Sequence, residues 1–155
     1  MTVMRTVDVL RMRAPLDRVW AAAATVTDWP RILPHYRYVR EEGREDDAVI
    51  VAMSANRPFG LFNWPTWWTS RMWTDAAART VRYRHIRGIT TGMDVWWTLD
   101  AQGDEVEVTI VHEWDGPRWP LIGRLAARLV IGPVFVHGIA SRTLAGIRRA
   151  VEAGA

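Results

Sequence analysis

Residues 63–73 read NWPTWWTSRMW, four tryptophans and one arginine within eleven positions. In a strand, Trp67, Thr69, Arg71 and Trp73 share one face, and Trp68, Ser70 and Met72 share the other. With the first set inward, Arg71 becomes a fixed cation between two tryptophans, an arrangement suited to an anion or enolate stacked between aromatic rings. With the second set inward, Trp68 and Met72 belong to the core and Arg71 to solvent. Parity in this stretch leaves both arrangements open. The inward one requires a watery pocket or a nearby carboxylate, because an unpaired interior charge is strongly destabilising.

A second candidate is His112. Val106, Val108, Ile110, His112 and Trp114 alternate with Glu105, Glu107, Thr109, Val111 and Glu113, so the first set faces the core and carries His112 with it. An imidazole there is either a satisfied structural residue or a group that takes and returns a proton near neutral pH. Trp97, on the parity of Met93, Val95 and Leu99, is expected to line the interior from another strand.

Other chemistries are disfavoured. All 20 cationic residues are arginine, which removes lysine Schiff bases, and the absence of cysteine removes thiol nucleophiles and Cys-type zinc sites. His35, His85 and His137 have no metal-ligand spacing, and Ser54, Ser70 and Ser141 lie outside any nucleophile elbow. No metal and no cofactor are expected. The net charge of +3 is too small to point to nucleic acid without clustering. Asp8 falls where a signal peptide needs its apolar run, and Arg124 and Arg128 interrupt the most apolar window. A cytoplasmic protein without stable membrane insertion, monomeric or homodimeric, is the expectation.

The elements that must hold these residues can be read from periodicity. Val3 to Arg13 reads as a strand stopped by Pro15; a helix follows through Leu16, Val19, Trp20 and Ala23, and a second short helix begins near Asp28 and stops at Pro34. The period then becomes two: Tyr36 to Glu42, Val49 to Ala55, Trp64 to Trp73, Thr80 to Ile86, Thr91 to Leu99 and Glu105 to Trp114. Helical spacing returns through Leu121, Ile122, Leu125 and Leu129, and again through Phe135, Ile139, Ile147 and Val151, with Gly132 and Pro133 between the halves. At 155 residues the chain fits one domain, 1–155. It is α+β: an antiparallel meander whose apolar face the C-terminal helix covers.

This arrangement resembles the helix-grip fold of the START-like, or SRPBCC, superfamily, which includes Bet v 1-like proteins, polyketide cyclases and coenzyme Q-binding proteins. The local likenesses are APLDRVWAAAATVTDWPRILPHY at residues 14–36, VHEWDGP around the last strand, and SRTLAGIRRAVE in the final helix. The resemblance implies a seven-stranded curved antiparallel sheet around a long C-terminal helix, two short helices after strand 1, and a deep cavity. In aromatase/cyclases an arginine on the TSRMW strand points into the cavity, which implies an inward, catalytic Arg71. The place of His112 carries a polar pocket residue, and Trp29 and Tyr36 match aromatic positions at the mouth. With Trp67, Trp73, Trp97 and Trp114 these form the expected ligand-binding set. One departure is that Ser141, Arg142 and Thr143 stand where some cyclases offer an acidic or amide residue.

Two functions follow from the resemblance. In the first, a poly-β-ketone brought by an acyl carrier protein folds in the cavity for aldol closure and loss of water, with Arg71 stabilising the enolate and His112 moving protons. The arginines at 124, 128, 142, 148 and 149 would dock the acidic carrier. In the second, the same fold carries a quinone, lipid or aromatic metabolite without chemistry, held mainly by burial against the tryptophans.

Overall fold

The period-two stretches form strands whose inner residues are apolar and whose outer residues are arginine and acid, and that division closes the sheet around a helix. The computed structural model describes residues 4–59, 61–117, 125 and 136–153. The strands are β1 (Met4–Met12), β2 (Tyr36–Glu45), β3 (Ala48–Phe59), β4 (Phe62–Asp75), β5 (Thr80–Gly88), β6 (Asp94–Gln102) and β7 (Glu105–Trp114). They pair in the order β1-β7-β6-β5-β4-β3-β2, each with an antiparallel neighbour. Between β1 and β2 lie α1 (Leu16–Ala24), a 3-10 turn (Val26–Asp28) and α2 (Trp29–Ile32); α3 (His137–Ala153) closes the described chain. This is the helix-grip architecture expected from the sequence. The Leu121 to Leu129 spacing and the Gly132–Pro133 break lie outside the described residues.

Local chemistry accounts for the helix starts. Pro15 sits at the N-cap of α1, and its carbonyl accepts the N–H groups of Arg18 and Val19 at 3.0 and 3.1 Å. Proline has no N–H of its own to leave unpaired there. Trp29 begins α2 and donates its indole N–H to the Ala22 carbonyl at 3.0 Å, which turns the ring inward beneath the sheet.

Strand ends differ from expectation in two places. The β3–β4 ladder runs on through Asn56↔Pro65 and Pro58↔Asn63, beyond the expected ends at Ala55 and Trp64. Side chains reinforce this segment: Ser54 Oγ donates to the Thr66 carbonyl at 2.7 Å, and Thr66 Oγ1 to the Ala55 carbonyl at 2.8 Å. Conversely, β6 begins at Asp94 rather than Thr91. Gly88, the last residue of β5, and Gly92 have φ of 103° and 91°, so residues 89–93 form a loop rather than strand.

Curvature comes from irregular pairing. The register shifts twice between β2 and β3, at Tyr36/Tyr38 and Glu41/Gly43, and once between β4 and β5 at Thr69/Ser70. Bulges bend a strand and increase its twist. The concave face carries Met12, Met53, Met72, Tyr83, Val95, Trp97, Val108 and Ile110, and α3 meets it with Ala140, Leu144, Ile147 and Val151. Gly146 lets α3 approach Leu33, whose Cδ2 would lie 2.3 Å from an added Cβ. Asp8, buried on β1, accepts a short hydrogen bond from His137 Nδ1 and ties the start of α3 to the sheet. Burial raises the Asp8 pKa, and His137 opposes the shift.

The convex face is laced by cross-strand ion pairs. Arg5 pairs with Glu113 and Arg11 with Glu107, each at 3.2 Å and each directly across the β1–β7 ladder. Arg84 and Arg82 both reach Asp94, at 2.6 and 3.6 Å. Among the described residues, no helix is long and apolar enough to cross a membrane.

Gly88 tests how firmly the loop is held. A Cβ there would lie 2.6 Å from the Trp67 carbonyl oxygen, at a φ that L residues rarely adopt. Gly88→Ala is expected to cost about 1–3 kcal/mol in urea unfolding. An unchanged midpoint would show that the β4–β5 approach is not fixed.

Candidate ligand cavity

Where the curved sheet stands away from α3, a cavity of about 140 Å³ remains. A space of that order holds a single benzene ring in an apolar protein interior, so a larger ligand must extend toward the mouth. Trp64, Trp67 and Ile89 border the cavity while staying 59%, 55% and 50% exposed, which places them at its rim.

The wall is an aromatic arc. Trp97 and Trp29 lie 5.5 Å apart, Trp29 and Tyr36 meet edge-on at 5.2 Å, and Tyr36 and Trp68 meet edge-on at 6.2 Å. Trp68 then stacks on His85 at 5.8 Å with only 8° between the ring planes. The far nitrogen of that stack is fixed too, because His85 Nδ1 bonds Thr90 Oγ1 at 2.7 Å. Such contacts lock the rings into a rigid apolar surface of edges and faces suited to aromatic ligands.

Arg71 is not part of this wall, contrary to the sequence expectation. It lies on the convex face with its side chain 38% exposed, and Nε and Nη2 donate to the two carboxylate oxygens of Glu45 at 3.2 and 3.1 Å. The inward residues of β4 are Trp68, Ser70 and Met72. The physical reason is the cost of the alternative: among the described residues that line the cavity there is no carboxylate to pair an inward guanidinium. Trp73 shares the outer face and donates its indole N–H to Asp47 Oδ1 at 3.0 Å, so it does not line the cavity either. Trp114 is inward and buried but lies behind the lining, where its N–H holds the Thr91 carbonyl at 3.0 Å. Trp67 reaches the rim despite its outer-face register. Trp97 and His112 line the cavity from the inward faces of β6 and β7, and Trp29 and Tyr36 line it too, though at 2% and 7% exposed they lie in the wall rather than at the mouth.

The sequence reading passed over Tyr83, His85, Thr90 and Thr143, all of which line the cavity. For two of them the signal was present: Val81, Tyr83 and His85 alternate with Arg82 and Arg84, the same inside-outside pattern that placed His112. Thr143 joins the cavity to its surroundings, donating to the Ile139 carbonyl at 2.8 Å and accepting from His35 Nε2 at 3.1 Å.

Burial sets the charge state of every titratable group here. It lowers the pKa of His85 and of His112 to about 3, with His112 adding to the shift of His85. It raises Tyr36 above the usual phenol range and Tyr83 well above it. Burial also lowers His35 to about 4, helped by Arg142 and Arg149. His112 keeps part of its surface open to the cavity, yet its Nδ1 is shielded and has no hydrogen-bond partner. The imidazoles are therefore neutral at physiological pH, and His112 gains a proton only where negative charge develops beside it. Among the described residues, no three His, Asp or Glu side chains gather as a metal-binding group.

Two outcomes follow. Arg71→Ala removes one exposed ion pair and is expected to change unfolding free energy by no more than about 1 kcal/mol. A loss of about 3–5 kcal/mol would show that the guanidinium is buried and paired. The histidines set an acid limb. Their folded pKa values lie below 6.5, so the unfolded chain binds more protons as pH falls, and the stability they contribute is complete above about pH 6.5 and declines below it. Asp8, with its raised pKa, works in the opposite direction, one group against three. Urea unfolding at pH 7, 6 and 5 should show stability falling before most carboxylates titrate; a flat profile would contradict buried, neutral imidazoles.

A family model described as "Polyketide cyclase / dehydrase and lipid transport" matches residues 12–134. A curated Streptomyces halstedii protein, named as a candidate polyketide cyclase, is 30% identical over 94 residues, 60% of this chain and 84% of that one. Among solved structures, the Zhui aromatase/cyclase from Streptomyces sp. R1128 superposes with a TM-score of 0.70 at 19% identity, covering 97% of this chain and 98% of that one. A START superfamily protein from Mycobacterium smegmatis superposes with a TM-score of 0.74 at 10% identity, covering 97% and 99%. The chain belongs to the polyketide cyclase/dehydrase and lipid transport family and has its START-like, helix-grip fold.

Proposed function

We propose that the protein is an aromatase/cyclase-like enzyme that receives a flexible poly-β-ketone in the aromatic cavity and directs its aldol closure and dehydration. The observation that carries this reading is the arc from Trp97 through Trp29, Tyr36 and Trp68 to His85, a packed aromatic wall with neutral polar groups beside it. The wall selects a folded conformer and so brings the reacting carbons together, which supplies proximity. In the closure, an α-carbon of one ketone, as its enol, bonds to the carbonyl carbon of another. The enol proton ends on the new alkoxide oxygen, and loss of that hydroxyl with an adjacent hydrogen releases water.

His112 is the proposed proton-handling residue, and the role expected of Arg71 passes to uncharged donors. In the tautomer protonated at the unpartnered Nδ1, a neutral imidazole donates to a ketone oxygen in the ground state, and that bond strengthens and can pass its proton on as negative charge develops on the oxygen. The closure and dehydration need no oxidant or reductant. The likeness to an aromatase/cyclase supports the reading at the level of fold, and the family match supports it at the level of activity. Delivery by an acyl carrier protein fits the exposed Arg142 and Arg149 of α3, with Arg148 engaged by Glu152 at 3.3 Å.

The test is reconstitution with a carrier-bound poly-β-ketone generated in situ, with products separated by liquid chromatography and mass spectrometry. Wild-type protein should shift the products toward one cyclised, dehydrated aromatic compound, and His112→Ala should lower that product by about 100-fold or more, the usual contribution of general acid–base catalysis. A product distribution unaffected by wild-type protein would sink the reading, and a distribution shifted equally by His112→Ala would remove the histidine from it.

A further inference from the structure

Tyr83 is buried, 4% exposed, and borders the cavity, yet its hydroxyl has no hydrogen-bond partner. Phenylalanine would fill the same space without that penalty, since an unpartnered buried hydroxyl is destabilising. His112 Nδ1 is likewise buried without a partner, and these are the two such atoms on cavity-lining residues among the described residues. The two side chains are aligned by the ladder. Tyr83 lies opposite Val95, and Val95 opposite His112, so they occupy one row on the concave face across three strands. At the usual strand spacing their Cα atoms lie about 10 Å apart.

We propose that Tyr83 and His112 form a two-point polar site for uncharged oxygen atoms of the ligand, with the Tyr83 O–H donating to a carbonyl. Burial, reinforced by Tyr36, keeps the phenol protonated, so it is a donor at any physiological pH. Two separated contacts fix the orientation of a flat ligand, which one contact on an aromatic wall leaves free to rotate. The site discriminates against carboxylates, because the described lining residues include no cation to balance one and an unpaired anion is costly to bury. Tyr83 thereby becomes a specificity-determining residue of the cavity, and this inference rests on the reading that the cavity binds an aromatic or polyketone ligand.

The test uses a matched pair of probes, 1-tetralone and tetralin, which differ by one carbonyl oxygen, together with 1-naphthoate as the anion. Affinities come from ligand-observed NMR titration of wild type and Tyr83→Phe. The expected result is that Tyr83→Phe weakens 1-tetralone by about 3- to 10-fold and leaves tetralin unchanged, while 1-naphthoate binds more weakly than 1-tetralone to wild type. The ligand-free variant should unfold at the same temperature as wild type or higher, since it loses an unpartnered hydroxyl. A hydroxyl with a structural partner would instead lower the melting temperature, and that result, or unchanged 1-tetralone binding with tetralin still bound, overturns the Tyr83 site and leaves the cavity reading intact. Failure of folded wild type to bind either neutral probe overturns both.

Discussion

Ionising a group inside this sheet means separating charge in a space walled by indole, phenol and aliphatic carbon, and the structure is arranged around the cost of doing so. The imidazoles of His85 and His112 stay neutral, and the phenols of Tyr36 and Tyr83 keep their protons. Every arginine whose ion pair is described above lies on the outer surface. Asp8 shows what an interior charge requires: a partner on α3 within hydrogen-bond reach, and even then a raised pKa. An arginine inside would have needed an equivalent carboxylate in the cavity wall, and the described wall has none.

The sheet performs this sorting by parity. On each strand alternate positions face opposite ways, so one arginine is turned outward by the same register that turns its neighbours inward. On β5, Arg82 and Arg84 take the convex face and reach Asp94, while Val81, Tyr83 and His85 take the concave one. On β4, Arg71 goes outward to Glu45, and Trp68 goes inward to stack on His85. The bulge between β4 and β5 falls at the step from Thr69 to Ser70, beside these residues, and both are buried. A tryptophan-rich strand thus contributes to three regions: Trp68 to the wall, Trp64 and Trp67 to the rim, Trp73 to the outer surface.

The succession of strands along the chain, the two short helices and the covering helix were legible because each rests on periodicity over many residues, whereas the pairing of β1 with β7 has no such local signal. On β7, three consecutive apolar inward positions before His112 and Trp114 after it determined where the histidine had to point. On β4, tryptophan and methionine occupied both parities, and amphipathic residues pack well on either face, so hydrophobicity could not orient Arg71. Its partner Glu45 lies on the second strand over, and no local pattern in the sequence connects the two. Tyr83 and His85 were legible in principle, since flanking arginines mark their strand as strictly alternating. The ladder of β3 and β4 outran its expected ends at Ala55 and Trp64, where side-chain hydrogen bonds from Ser54 and Thr66 supplement it.

A neutral interior also bears on what kind of catalysis this fold can support. A guanidinium in the wall would hold a ground-state anion tightly, and interactions made equally with substrate and transition state do not speed the chemical step. A phenol and an imidazole bind a ketone weakly by comparison, but their interaction strengthens as negative charge moves onto the oxygen. In a cavity with little water to screen it, that increment is larger than it would be in solution. On the proposed reading, the outward turn of Arg71 therefore suits the chemistry: the wall selects the conformer by shape, and the polar groups respond mainly to charge that appears during reaction. The same low pKa that makes His112 a weak base at rest makes a fully protonated intermediate brief, so proton transfer would be coupled to closure and release of water rather than precede them.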